Sequence, residues 1–147
     1  MDSPTAIEIQ DVSKSYGDVQ ALSHFNLHVS TGEIFGLLGP NGAGKTTTLK
    51  LLMGLNFPTS GSATVLGEPI GSLAARRKIG YLPERPYFYD YLTAQEFRHF
   101  YGSLHGRSRA TRNAKIDELL PLVHMERARN IPLRKFSKGM LQRVGLA

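Results

Sequence analysis

At 147 residues, with 41% hydrophobic and 20% charged residues, the chain has the composition of one globular domain, long enough to bury most of its unfolded surface. The absence of cysteine excludes disulfides, thiolate chemistry and cysteine-ligated metals. The net charge of +6 is local: residues 1–126 carry twelve basic and twelve acidic side chains, whereas Arg127, Arg129, Arg134, Lys135, Lys138 and Arg143 face no acid through to Ala147.

Such a basic end is read either as a solvated face or as a surface for anions, nucleic acid or phosphates among them. Met1–Gln10 has neither a basic start nor an apolar run and does not read as a secretory signal. Leu37-Leu38 and Leu51-Leu52-Met53 fall far short of a membrane span. A cytoplasmic-type soluble chain is expected.

In chain order, Ile7–Val12 and Phe25–Val29 alternate apolar and polar residues, the pattern of half-buried strands. Thr31-Gly32-Glu33 reads as a turn. Ile34–Leu38 is a short apolar run, expected as a strand buried on both faces. A glycine-rich loop follows, and then a helix whose buried stripe is expected at Leu49, Leu52 and Met53, fading near Gly54. Pro58–Gly61 turns the chain, and Ala63–Leu66 and Ile79–Leu82 are read as further strands.

From residue 90 the pattern becomes helical. Thr93 with Glu96 forms a capping box ahead of Phe97, Phe100, Tyr101 and Leu104 on one helical face. Gly106 and Ser108 break the chain. Ile116, Leu119, Leu120 and Val123 mark a second amphipathic helix, which Pro121 should kink or end. Strands around a glycine loop followed by helices give an α/β core with a helical insertion.

The loop itself carries the chemistry. Gly39, Pro40, Asn41, Gly42, Ala43, Gly44, Lys45 and Thr46 fit G-x-x-x-x-G-K-[ST], the P-loop. Glycines let the backbone wrap closely enough for successive N–H groups to face phosphate oxygens. The next helix turns its positive end to the same anion. Lys45 is expected to reach the β- and γ-phosphates, the Thr46 hydroxyl to bind Mg²⁺, and Thr47 to add an α-phosphate contact. The loop alone does not separate GTPases, nucleotide kinases and transport ATPases.

Further motifs do. Tyr16 precedes Gly17 upstream of the loop, Pro40–Ala43 lies inside it, and Thr46-Thr47-Thr48-Leu49 follows. Ile79-Gly80-Tyr81-Leu82-Pro83-Glu84 comes next, and Phe136-Ser137-Lys138-Gly139-Met140-Leu141-Gln142-Arg143 ends the series. Together, and in this order, they resemble the nucleotide-binding domain of ABC transporters of the bacterial exporter type, along essentially the whole chain.

The resemblance implies an ABC-type P-loop NTPase core with N-terminal antiparallel strands and a helical insertion subdomain, incomplete at the C-terminus. Residues 1–85 would form the nucleotide-binding core and residues 86–147 the helical subdomain. Tyr16 would stack on adenine. Glu84 stands at the Q-loop position, where most members have Gln, and would contact Mg²⁺ or the attacking water. Ser137, Lys138, Gly139 and Met140 stand at the signature, where Lys138 replaces a glycine and Met140 a glutamine. In the family this segment faces the γ-phosphate of ATP on the other subunit, and Ser137 reads as the N-cap of a helix beginning near Met140.

The implied ligands are ATP and Mg²⁺. The implied partners are a second ATP-binding domain, in a homo- or heterodimer, and a transmembrane permease subunit at the inner face of the cell membrane; nucleic acid is not implied. Substrate identity is not encoded here. The family pattern continues beyond the signature with a strand ending in Asp-Glu and a switch histidine, neither of which occurs before Ala147. The expectation is therefore ATP binding with poor hydrolysis by this chain alone. A soluble non-transport ABC ATPase and a P-loop kinase are the alternatives, and the segment from Ser137 to Arg143 argues against the kinase. His24, His28, His99, His105 and His124 match no functional family position and are read as structural.

Overall fold

The computed structural model describes residues 4–84 and 86–147. They fall into two compact units, one ending at Tyr81 and one running from Leu82 to Ala147.

The first unit is built on a four-stranded antiparallel sheet of order β2-β1-β3-β4, with β1 at Thr5–Tyr16, β2 at Val19–Ser30, β3 at Ser60–Val65 and β4 at Glu68–Pro69. β1 and β2 are longer than their alternating segments. Their pairing continues from Ile7↔Val29 to Tyr16↔Val19, closing through Gly17, which takes φ +57°. Bulges hide this length from a period-two reading, because each extra residue moves the following side chains to the other face. Asp11 and His24 both adopt positive φ there. Their side chains meet at 2.7 Å, and Asn26 Oδ1 accepts from the Asp11 amide at 2.8 Å.

One face of the sheet buries Ile9, Val12, Leu22 and Ala63 against Leu51 of helix α1, Lys45–Leu52. The buried stripe of α1 is Thr48 and Leu51, not the expected set: Leu52 and Met53 are half-buried and Leu49 is exposed. After α1 the chain turns at Gly54, whose φ is +64°. A Cβ there would lie 2.5 Å from Gly71 Cα, so the two backbones are in contact. Helix α2, Leu73–Lys78, follows, capped by Ser72.

Two expected strands do not form. Ile34–Leu38 and Ile79–Leu82 have no strand partner among the described residues. Ile34 and Leu38 are almost fully exposed, where burial on both faces was expected. An apolar run specifies a strand only when neighbouring strands accept its hydrogen bonds.

The second unit is helical: α3 at Ala94–Leu104, α4 at Arg109–Leu122 and α5 at Lys138–Leu146. The Thr93–Glu96 capping box is present in full, with both reciprocal bonds made. Ser108 caps α4, and Pro121 falls in its last turn, so the helix ends one residue later. The core gathers Ala94, Phe97, Ile116, Leu120, Leu133 and Val144, with Phe88 packed edge-on against Phe97 at 4.7 Å. Arg129 is no free surface charge: its guanidinium donates to Gln95 Oε1 and to the Asp117 carboxylate. The solvated-face reading of the basic end thus fails at this residue.

Candidate functional site

The glycine loop and Tyr16 belong to the first unit. Gly44 is the N-cap of α1 in a left-handed conformation, φ +81°, and Gly42 has φ +88°. Only glycine takes such angles without strain. Space imposes the same choice at Gly44, where a Cβ would approach Leu22 Cδ2 to 2.6 Å and the Ala21 carbonyl to 2.8 Å. Close packing on β2 therefore fixes where α1 begins.

The Gly44 cap supplies no side-chain acceptor, and no acid lies in the first turn of α1. The leading N–H groups and the positive end of the helix dipole are left for an external anion. Lys45 Nζ donates to the carbonyls of Gly39 and Pro40 at 2.6 and 2.7 Å, so the ammonium is held over the loop. Thr48, buried, donates back to the Gly44 carbonyl at 3.1 Å and secures the first turn from below. Thr46 is exposed and Thr47 half-buried at the same helix end.

Tyr16 closes β1 and is 45% exposed. Its hydroxyl accepts from Asn56 Nδ2, and Lys14 Nζ lies 4.9 Å from the ring centroid. That distance is within cation–π range. Lys14 pairs across the sheet with Leu22, the residue that touches Gly44, so Tyr16, Lys14 and the loop share one end of the sheet. Sequence reasoning missed Lys14 and Asn56. Lys14 was within reach of it, standing two residues before Tyr16 as same-face strand neighbours do; Asn56 gave no local signal.

Glu84 and the Ser137–Met140 segment belong to the second unit, and here the structure brings predicted residues together. Ser137 caps α5, with its hydroxyl accepting from the Met140 amide at 3.3 Å. The helix starts at Lys138, two residues ahead of expectation. Lys138 Nζ lies 3.2 Å from the Glu84 carboxylate, joining two of the three departures from the family pattern. Gln142, one turn later on α5, donates to the carbonyls of Pro83 at 3.3 Å and Glu84 at 2.7 Å. No role had been assigned to Gln142, although its four-residue spacing from Lys138 puts both on one helical face.

Phosphate suits this donor set: uncapped amides, a helix N-terminus and one ammonium. For Mg²⁺ the chain offers less. Among the described residues no group of three or more His, Cys, Asp or Glu side chains gathers in metal-binding range. The Thr46 hydroxyl is a single neutral donor, which suits an ion taking most of its ligands from phosphate oxygens and water.

The sequence model for "ABC transporter" matches residues 22–147. The chain belongs to the ABC transporter family. An uncharacterized ABC transporter ATP-binding protein of Synechocystis is 45% identical over 96% of this chain and 42% of its own length. The Nod factor export ATP-binding protein I of Cupriavidus pinatubonensis is 39% identical over 96% of this chain and 44% of its own. A solved structure of the ATP-binding subunit of an ABC transporter superposes with a TM-score of 0.81 at 33% identity, covering 97% of this chain and 60% of that one. The chain thus spans less than half the length of these two relatives. The mixed α/β fold with its antiparallel sheet is that of an ABC ATP-binding domain, and the family is one of nucleotide binders. No described helix is long and apolar enough to cross a membrane.

Proposed function

We propose that this chain is the ATP-holding part of an ABC transporter ATPase subunit. The observation that carries the reading is the Gly44 cap: α1 begins without a side-chain acceptor or an acid, directly behind the Lys45 ammonium. The loop amides and Lys45 bind the β- and γ-phosphates, Thr47 adds an α-phosphate contact, and the Tyr16 ring stacks on adenine beside Lys14. Thr46 of the first unit contributes its hydroxyl to Mg²⁺, and Glu84 of the second offers a carboxylate suited to a metal ion or an attacking water. When bound, Mg²⁺ supplies neutralisation of phosphate charge.

Ser137, Lys138, Gly139 and Met140 face the nucleotide of a second ATP-binding domain, homo- or heterodimeric. Their cap and charge suit a γ-phosphate. The membrane partner is a permease subunit met at the inner face of the membrane. The Cupriavidus relative, a Nod factor export protein by name, supports the exporter type. Hydrolysis belongs to this reading through the family, and transport through the permease.

Calorimetric titration tests the nucleotide assignment. MgATP is expected to bind at least an order of magnitude more tightly than AMP, because the loop's donors address β- and γ-oxygens. Equal affinity for AMP and ATP would overturn it.

A further inference from the structure

The loop carrying Glu84 and helix α5 are joined by two bonds of different kinds. Gln142 Nε2 donates to two consecutive carbonyls, those of Pro83 and Glu84, at 3.3 and 2.7 Å. One amide group thereby holds the backbone on both sides of the Pro83–Glu84 peptide bond. The second bond is ionic: Lys138 Nζ lies 3.2 Å from Glu84 Oε1, with the two side chains 70% and 80% exposed. Leu82, just ahead, packs against the backbone of α5, since a Cβ on Gly145 would come within 2.6 Å of Leu82 Cδ1. These contacts place α5 along the whole approach to Glu84.

We infer that Gln142 is a positioning residue for Glu84 and that Lys138 is an exchangeable latch on its carboxylate. The two bonds divide the work by their physics. The bonds from Gln142 involve no net charge and are little affected by salt, so they fix the backbone. The exposed ion pair contributes little stability and is screened by salt, so the carboxylate can leave it. Any anion arriving at the start of α5 competes with Glu84 for Lys138. Each charge supplies the other's partner.

The inference deepens the reading above and rests on it only for the role of Glu84; the tether itself is measurable without nucleotide. Because the chain has no cysteine, Tyr87→Cys gives a unique site for a nitroxide label, three residues from Glu84 and 96% exposed in the parent chain. In the full chain without nucleotide, the electron paramagnetic resonance spectrum should show an immobilised component. Gln142→Met, close in size but without a donor, should lose it, while Gln142→Lys, which restores a donor, should recover it. Lys138→Glu or Glu84→Lys alone should reduce the component, and the two together should restore it. Far-UV circular dichroism confirms that each variant keeps its helices. A Gln142→Met spectrum like the parent's would overturn the positioning role. Failure of the reversed pair to recover what the single changes lose would overturn the latch. Should the chain fail to prefer ATP over AMP while these spectra behave as stated, only the nucleotide assignment falls.

Discussion

Lys45 Nζ donates to the carbonyls of both Gly39 and Pro40, at 2.6 and 2.7 Å. The ammonium thus closes a ring running from Gly39 to Lys45, and it sits where the N-terminus of α1 already favours an anion. Lys45→Ala removes both the ring closure and the charge. ATP affinity is expected to fall about ten- to a hundredfold, the worth of a charge-assisted hydrogen bond of roughly 1.5–3 kcal/mol. Competition against a fluorescent ATP analogue reads it, and unchanged affinity would contradict the assignment.

Gly44→Ala should damage the fold itself. The new methyl meets Leu22 and the Ala21 carbonyl inside contact distance, at a backbone angle of +81°. Strain and overpacking together are expected to cost about 2 kcal/mol or more. A lower urea midpoint at constant slope is the predicted signature. A neutral result would mean that α1 can shift off β2.

Tyr16 separates base recognition from phosphate recognition. Tyr16→Leu should weaken ATP binding about two- to tenfold, the scale of an aromatic stacking contact. Tripolyphosphate, which has no base, should bind as before. Tyr16→Phe keeps the ring, loses only the bond from Asn56, and should stay near the parent for both ligands.

The capping box of α3 predicts a pH dependence with a definite sign. Bonds from the Thr93 backbone, and then from its hydroxyl, hold the Glu96 carboxyl below its ordinary 4.5. The native state therefore binds the proton less readily than the unfolded chain. The contribution is present above the unfolded value and is lost as pH falls through the folded one. Thr93→Ala should cost about 1 kcal/mol at neutral pH, whereas Glu96→Gln, which removes the titrating carboxyl, should flatten the acid side of the stability profile below 4.5. Thermal melts from pH 3 to 7 distinguish the two effects; a parent-like acid slope in Glu96→Gln would contradict the assignment.

Local chemistry was legible in the sequence, whereas geometry that depends on distant partners was not. The loop, the Thr93–Glu96 box and the Ser137 cap each rest on residues within a few positions of one another, so their spacing determines them. Ile34–Leu38 has a buried strand's composition, yet its state depends on neighbours that a local window does not contain. β1 and β2 were read short because the bulges at Asp11 and His24 break alternation without breaking the ladder. Arg129, within the basic end, is tied down because Gln95 and Asp117, distant in sequence, meet it. Glu84 and Lys138 were each singled out as odd residues. Their pairing spans 54 positions, and no pattern of spacing announces it.

Gly54 and Gly71 differ in what they leave open to evolution. At Gly71 an added methyl would strike the Phe57 ring, an exposed side chain able to swing away, so the backbone angle is the main barrier. At Gly54 the obstacle is the backbone of Gly71 itself, 2.5 Å from the would-be Cβ, and no rotamer change relieves it. Position 54 is therefore closed to single-step drift. Descendants of this sequence could vary it only after altering the path of the chain between β4 and α2, so a change in the length of that connection should precede any side chain at 54.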